Sequence, residues 1–209
     1  LTFTTTWTAM AWVKLESYAL GGIIARRNAD TEGWSLAVNA SGQLVATSLR
    51  IASNNSDTVS YASLPLNKWV HVAAATDLSG TTLMYIDGVL APSATTVTGT
   101  AATLVQGTTA LVVGARKSAG TDPFDGKIAQ AAVFSTKLSA ATIASYASQT
   151  LSGSETSLIS AYSFNGVITD LNTTNANNLT AQGSAVATNT DSPYANAVTA
   201  GTEEYAIVH

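Results

Sequence analysis

Apolar and polar residues alternate along most of this chain, and that period of two constrains the fold more than any other feature. In TAMAWVKLE (8–16), Met10, Trp12 and Lys14 fall on one side of a strand and the residues between them fall on the other. Successive side chains of a β-strand point to opposite faces, so the alternation predicts strands rather than helices. Comparable runs predict strands at 21–28, 34–40, 43–50, 58–64, 69–78, 82–90, 110–116, 126–134 and 158–166.

Short turns are predicted between several of these runs. The segments 34–40 and 43–50 flank a turn that ends in Gly42, and this spacing predicts a β-hairpin. Within 82–90, Asp87–Gly88 is predicted to be a further turn, because glycine accepts positive φ at no steric cost.

One helix is predicted, over 138–150, with Ser139 as its N-cap. The polar stretch 91–109 predicts a long loop with short pieces of strand. The composition has no break that would separate two domains. The chain is therefore predicted to be all-β, a two-sheet antiparallel sandwich with one short helix, in a single domain over 1–209.

The charge composition excludes several classes of function. Only 11% of the residues are charged, the net charge is −4, and there is no basic cluster of the kind that binds nucleic acid. No apolar run approaches the roughly 20 residues that span a bilayer, so no membrane insertion is expected. The chain has no cysteine, which rules out disulfides and cysteine-based zinc sites.

The arrangement of acidic residues and histidines argues against an enzyme. Glycoside hydrolases need two carboxylates flanking the sugar bond, and no predicted strand carries acidic residues at alternate positions. His71 lies within a predicted strand and is interpreted as structural rather than as a catalytic base, while His209 is the last residue. The five glutamates all lie at predicted element ends or in loops: Glu16, Glu32, Glu155, Glu203 and Glu204.

Four segments, in order, resemble the laminin-G-like, concanavalin A-like lectin/glucanase jelly-roll family. They are FTTTWTAMAWVKL (3–15), LPLNKWVHVAAATD (64–77), LMYIDGVL (83–90) and FDGKIAQAAVFSTKLSAATI (124–143). The resemblance covers about two thirds of the chain and implies a jelly-roll sandwich.

The remaining third, at the C-terminal end of the chain, resembles segments that normally stand at the start of such a domain. The order of segments is therefore rotated relative to the family. The stretch 161–183 resembles the opening strand and its Asn-rich loop, and 191–209 resembles what usually follows it. The hypothesis is that 158–209 supplies strands that normally precede the N-terminal strand, as in a circularly permuted domain or one cut from a longer array. The terminal EYAIVH (204–209) would complete this sheet, or alternatively would donate its strand to a neighbouring subunit.

The resemblance also implies a calcium site, because members of this family often bind calcium through loop Asp and Asn oxygens. The best candidate ligands are Asp170, Asn172 and Asn177. The alternative is a solvated Asn-rich turn. Ala129 stands where the family often carries an acid, which removes one charge from such a site.

The sequence favours a non-catalytic recognition module that binds a glycan or a cell surface. It is expected to be extracellular or on a virion surface, and of bacterial or phage origin. The alternative is a structural phage decoration or tail-fibre protein that packs against copies of itself or other virion subunits. Loops at 27–33, 53–57 and 117–123 are expected to form one polar rim, with Trp7 and Tyr61 as accessible aromatics. The candidate ligand-binding residues are Trp7, Arg27, Asp30, Asn54, Asn55, Asp57, Tyr61, Arg116, Lys117 and Asp122.

Overall fold

The computed structural model describes residues 5–28, 31–49, 55–77, 82–97, 103–105, 109–117, 120–181, 191 and 193. These residues form two antiparallel six-stranded sheets and one short helix, so the all-β sandwich prediction is confirmed. The strands are β1 (Trp7–Leu15), β2 (Gly21–Asn28), β3 (Glu32–Val38), β4 (Gln43–Leu49), β5 (Asn55–Ser63), β6 (Trp69–Thr76), β7 (Leu83–Ile86), β8 (Val89–Ala91), β9 (Ser93–Val97), β10 (Val112–Val113), β11 (Gly126–Phe134) and β12 (Leu158–Tyr162); the helix is α1 (Ala140–Tyr146).

Sheet 1 has the order β12-β11-β1-β6-β7-β8, and sheet 2 has the order β10-β2-β3-β4-β5-β9. The chain passes from sheet 1 to sheet 2 between β8 and β9, so these two strands end the sheets on one side of the sandwich. The short strands β12 and β10 end the sheets on the other side.

The predicted turns and the helix cap are present. Asn39 Oδ1 accepts hydrogen bonds from the backbone N–H groups of Ser41 and Gln43, and Gly42 completes the turn with φ +74°. Asp87 and Gly88 both have positive φ, as a two-residue hairpin turn requires.

The helix α1 begins after Ser139, whose hydroxyl accepts a hydrogen bond from the backbone N–H of Thr142 at 3.1 Å. It ends at Tyr146, earlier than the predicted 138–150. The region 93–97 pairs with β5 as a five-residue strand, one of the short strand pieces predicted within 91–109. No described helix is long and apolar enough to cross a membrane.

The core between the sheets is built from the inward-facing residues of each strand. Trp7 and Trp34 stack at its centre with ring centroids 5.0 Å apart, and both rings are buried. Burying such large apolar side chains is the dominant favourable term in folding. A second cluster lies on the outer face of sheet 1, where Ile143 of α1 covers Met10, Tyr85 and neighbouring residues.

The carboxylate of Asp191 links three strands on the outer face of sheet 1. Asp191 accepts hydrogen bonds from Lys14 Nζ at 2.7 Å, Trp69 Nε1 at 2.8 Å and Lys127 Nζ at 3.0 Å. Burial alone would raise the pKa of Asp191, but these three donors outweigh it and hold that pKa well below its ordinary value. The contact ties a residue near the C-terminus to three neighbouring strands of sheet 1.

The predicted role of 158–209 is testable only in part. β12 pairs with β11 and forms one edge of sheet 1, so 158–162 contributes a strand. The segment 204–209 lies outside the described residues, and its pairing with the N-terminal strand stays a prediction.

Candidate functional site

The outward side of sheet 2 brings several of the predicted ligand-binding residues together. Trp34 and Leu36 point into the core, so Ser35 between them points outward. The strand register aligns Ser35 with Thr47 and Thr47 with Asp57. We define the open face as the outward residues of β4 and β5 on this side: Val45, Thr47, Asp57, Val59 and Tyr61.

A row of polar side chains crosses this side of the sheet. Arg27 Nη1 donates to Ser35 Oγ at 3.4 Å, and Thr47 Oγ1 donates to Asp57 Oδ1 at 2.5 Å. Arg27 and Ser35 are buried, whereas Asp57 is exposed. Asp57 is therefore the charged group of the row that a ligand can reach.

Tyr61 is the exposed aromatic of the open face. Its side chain is 68% exposed, the largest value among the described aromatic residues. It lies four residues after Asp57 on β5, past the register shift opposite Gln43–Val45, so the two residues are at most about 14 Å apart at 3.4 Å per residue. The half-buried Val59 lies between them. The open face thus offers an aromatic ring, an apolar floor and a carboxylate acceptor on a rigid sheet.

The predicted single polar rim is wrong. Gly22, at the start of β2, donates its N–H to the carbonyl of Asp122 at 3.0 Å, while Arg27 lies near the other end of that strand. The loops 27–33 and 117–123 are therefore at opposite ends of the sandwich, about 17 Å apart at 3.3 Å per residue. Sequence alone does not reveal this, because it depends on strand direction within the sheet.

The remaining predicted ligand residues divide into three groups. Arg116 Nε and Asp122 Oδ2 form an ion pair of 2.8 Å with each other, and the half-buried Lys117 follows on the same loop. Asn55 begins β5 at the end where Arg27 lies. Asp30 and Asn54 lie outside the described residues.

Trp7 is not an accessible aromatic, so that prediction is corrected. Its side chain is buried, stacks on Trp34 and donates Nε1 to Ser48 Oγ at 3.2 Å. The alternation of β1 places Trp7 on the same side as Ala9 and Val13, facing the core. It is a structural residue of the core and is removed from the ligand-binding set.

The Asp170 loop does not have the geometry of a calcium site. Asp170 Oδ1 accepts from the backbone N–H groups of Ala161 and Asn172, each at 2.9 Å, and Oδ2 accepts from that of Asn177 at 3.0 Å. Asn172 Oδ1 in turn accepts from the N–H of Thr174 at 3.1 Å. Calcium needs oxygens directed at one centre, whereas these oxygens are directed at N–H donors.

The three residues predicted as calcium ligands are thus a structural clamp. Asn172 Nδ2 donates to the carbonyl of Leu158 at 2.9 Å, and Asn177 Nδ2 donates to Ser160 Oγ at 2.9 Å. Asp170 and Asn172 are both buried. The predicted ligand set is corrected: these side chains hold the loop 163–179 against β12. Within the part of the chain that the structure describes, no group of three or more His, Asp or Glu residues could hold a metal ion.

His71 is buried on the outer side of sheet 1, with its ring edge-on to Trp12 at 5.6 Å between centroids. Burial lowers the pKa of His71 to about 4, so the ring is neutral near pH 7. Its Nδ1 has no hydrogen-bond partner among the described residues. A catalytic base needs access to substrate, so this geometry favours the structural interpretation.

Comparison with known proteins supports the fold. A model of the concanavalin A-like lectin/glucanases superfamily matches residues 1–144. No curated protein matches the chain.

Solved structures with this architecture are similar at low sequence identity. One is a Bacteroides ovatus protein with a provisional assignment as carbohydrate-binding: it is 17% identical, the TM-score is 0.62, and the match covers 88% of this chain and 49% of that one. Another is domain 4 of AbnA, a GH43 extracellular arabinanase from Geobacillus stearothermophilus, in complex with arabinotriose: it is 19% identical, the TM-score is 0.50, and the match covers 70% of this chain and 68% of that one. The chain thus spans about half the length of the first of these proteins. At these identities the likeness establishes the fold alone.

Proposed function

The chain belongs to the concanavalin A-like lectin/glucanases superfamily, and from this premise we propose that it is a non-catalytic module that binds carbohydrate through the open face of sheet 2. In this proposal Tyr61 stacks on one ring of an oligosaccharide, and Asp57, up to about 14 Å away along β5, hydrogen-bonds to a hydroxyl group of another ring. The setting we propose is extracellular, where glycans of cell surfaces are accessible. The Bacteroides and Geobacillus structures, whose descriptions mention carbohydrate, favour the same reading.

The observation that carries the proposal is the exposed ring of Tyr61 on an otherwise well-packed sheet. The ring is 68% exposed, and its neighbour two residues away on the same side is the apolar Val59. An amphipathic ring of this kind provides contact area at low conformational cost and retains a hydroxyl group for hydrogen bonding. A sugar that covers about 60 Å² of apolar surface would gain about 1.5 kcal/mol at 25 cal/mol/Å².

The charge pattern of the open face favours binding over hydrolysis. Asp57 is aligned with Thr47 on one neighbouring strand and Thr96 on the other. Hydrolysis of a glycosidic bond requires a second carboxylate about 5 to 9 Å from the first. Neither position directly opposite Asp57 supplies one, which favours binding over hydrolysis.

A glycan array with the purified protein tests the proposal, followed by calorimetric titration of the strongest hit and of arabinotriose. Tyr61→Ala should weaken binding about tenfold, which corresponds to the loss of about 1.5 kcal/mol. Asp57→Asn should weaken it by a smaller factor, because an amide oxygen still accepts a hydrogen bond. Val167→Ala is the control, since Val167 is a 48% exposed apolar residue in the loop after β12, whereas the open face lies on β4 and β5 of the other sheet.

Equal losses in the Tyr61 and Val167 variants would disprove a site on the open face. Binding to no glycan on the array would remove carbohydrate as the ligand. Release of reducing sugar from a bound oligosaccharide would overturn the non-catalytic assignment.

A second candidate function is structural, as a phage decoration or tail-fibre protein. The observation that favours it is the edge strand β8, where Val89 is 69% and Leu90 is 55% exposed. An exposed apolar edge strand is a template for pairing with another chain. The solution mass of the intact chain and of Val89→Lys tests this candidate: association that the lysine abolishes would favour assembly, and a monomer at all concentrations would remove it.

The same mass measurement on a chain without residues 191–209 distinguishes two roles for the C-terminal segment. If the full-length chain is a monomer and the truncated chain does not fold, the segment completes its own sheet. If the full-length chain associates and the truncated chain is a folded monomer, the segment donates its strand to a neighbouring subunit.

A further inference from the structure

The tip of the loop after β12 carries the only Asn–Gly sequence of the chain. This tip consists of residues 165–167, all of which are exposed. The residues on either side of it are anchored. Phe164 is buried and stacks on Tyr162 with ring centroids 5.9 Å apart, and Ile168 packs against the core between the sheets. The tip therefore projects into solvent between two fixed points.

The two groups of this pair that can react with each other are accessible. The hydrogen bonds of Asn165 with described residues involve only its backbone N–H, which donates to Ser163 Oγ at 3.5 Å. The backbone N–H of Gly166 makes no hydrogen bond with a described residue. Gly166 has φ +75°, and apart from its neighbours in the chain no described atom lies within 4 Å of the position that a Cβ would take there. The side-chain amide of Asn165 and the nitrogen of Gly166 thus have room to form a ring.

The two Asp–Gly sequences of the chain can undergo the same ring closure, but the fold restrains both. Asp87 Oδ1 accepts a hydrogen bond from the backbone N–H of His71 at 2.9 Å, and a Cβ on Gly88 would lie 2.9 Å from the Cα of Ala144. A Cβ on Gly126 would lie only 2.1 Å from a carbonyl oxygen of β1. The helix and sheet 1 therefore leave little space for a ring at either pair.

Other asparagines have their side-chain amides bonded. Asn39 Oδ1 accepts from two backbone N–H groups, and its Nδ2 donates to Gln43 Oε1 at 2.9 Å. In the loop 163–179, three side-chain amides donate to acceptors on β12 at 2.8 to 2.9 Å, those of Asn172, Asn175 and Asn177. None of these four asparagines is followed by glycine. Asn165 differs from them in both respects.

We propose that Asn165 is a site of spontaneous covalent modification in the folded protein, through attack of the backbone nitrogen of Gly166 on Cγ of Asn165. The N–Cγ bond forms, the Cγ–Nδ2 bond breaks, and Nδ2 leaves as ammonia with the proton of the Gly166 N–H. Water then opens the five-membered imide. Breaking the new N–Cγ bond gives aspartate, whereas breaking the original peptide bond gives isoaspartate, in which the chain runs through Cγ. Nothing is oxidised or reduced, and water is the only co-reactant.

The modification changes the loop and leaves the core in place. A carboxylate replaces an amide, which adds one negative charge to a chain whose formal net charge is −4. The isoaspartyl form also lengthens the backbone by one carbon at the tip. Because the anchors Phe164 and Ile168 lie outside the rearranged bond, their packing is retained. The open face lies on β4 and β5 of the other sheet, so this inference does not depend on carbohydrate binding there.

Peptide mass spectrometry of the intact chain tests the proposal, with one sample incubated folded and another unfolded in guanidinium chloride at the same pH. Deamidation raises the mass of the peptide that contains Asn165 by about 1 Da. The folded and unfolded chains should react at this position at rates within about threefold of each other, because folding leaves the pair exposed. Isoaspartate at Asp87, detected by enzymatic methylation with S-adenosylmethionine as the methyl donor, should form at least about tenfold more slowly in the folded chain.

Three variants separate the chemistry of the pair from the fold of the loop. Asn165→Gln keeps a side-chain amide but requires a six-membered ring, and it should abolish the mass increase at this position. Gly166→Ala should lower the rate by about tenfold, because alanine hinders the approach of the nitrogen and disfavours positive φ. Val167→Ala retains the Asn–Gly pair and is the matched control, with an unchanged rate.

Hydroxylamine provides an independent readout, because it traps the imide and cleaves the chain after residue 165. The folded chain should give fragments 1–165 and 166–209, and Asn165→Gln should give neither. A folded chain that keeps Asn165 intact while the unfolded chain reacts would show that the loop protects the pair, and it would overturn the proposal. So would an unchanged rate in Gly166→Ala, or faster deamidation of another described asparagine in the folded chain.

Discussion

Replacing Asp170 with alanine tests whether this carboxylate organises the loop 163–179 without a metal. The substitution removes the acceptor for three backbone N–H groups, those of Ala161, Asn172 and Asn177. A hydrogen bond to a charged group contributes about 1.5 to 3 kcal/mol, and three bonds to one carboxylate are not additive. We therefore expect the free energy of unfolding to fall by about 3 to 5 kcal/mol, because three buried donors lose their partner at once.

Urea unfolding followed by tryptophan fluorescence measures this loss, in EDTA and again in excess calcium. Asp170→Asn retains one acceptor oxygen and should cost less than alanine. Asp77→Ala is the matched control, because the Asp77 side chain is 36% exposed and pairs with Lys137 at 2.9 Å. Such an exposed ion pair contributes about 0 to 1 kcal/mol.

Two results would refute this reasoning. A loss for Asp170→Ala no larger than that for Asp77→Ala would show that the three hydrogen bonds contribute little. Stabilisation of the unsubstituted chain by calcium, absent in Asp170→Ala, would restore the metal site. A ligand at 100 times its dissociation constant adds about 2.7 kcal/mol, so the second outcome would be readily measured.

Three further predictions concern stability. Burial lowers the pKa of His71 to about 4, so its contribution to the free energy of unfolding is fully present above the unfolded pKa of about 6.5. That contribution is lost as the pH falls to about 4, and the free energy of unfolding should decrease by about 3 kcal/mol over this window. His71→Phe should remove this pH dependence. Asp191→Asn should cost about 1 kcal/mol in low salt and less in about 1 M NaCl, because the ion pairs of Asp191 are partly exposed, which calorimetry in both buffers would show. Trp7→Ala should cost about 3 to 5 kcal/mol in urea unfolding, because it leaves a cavity against Trp34.

Local patterns in the sequence were sufficient to predict much of the fold. The alternation of 8–16 places Ala11 and Val13 on the same side of the strand, as the structure has them. Ser139 caps the helix and Asp87–Gly88 forms the hairpin turn as predicted, because both features depend on neighbours within a few residues. The resemblance of the segments between 3 and 143 is confirmed by the family match over 1–144.

What the sequence did not reveal depends on contacts between distant segments. Which side of β1 is buried depends on the second sheet, and this decides that Trp7 packs on Trp34 rather than facing a ligand. The bounds and the partner of the strand 93–97 were not predicted, because its aligned residues on β5 are 33 or more residues away in the sequence. The direction of β2 likewise separates the loops that were expected to form one rim.

The Asp170 loop shows how one composition is compatible with two kinds of site. Asp and Asn oxygens in a loop suit either a cation or a cluster of N–H donors. The N–H of Asn172, two residues after Asp170, is local enough to be anticipated as an Asx-type turn, whereas that of Asn177 is seven residues on. The third donor, Ala161, is on β12 and decides in favour of the clamp.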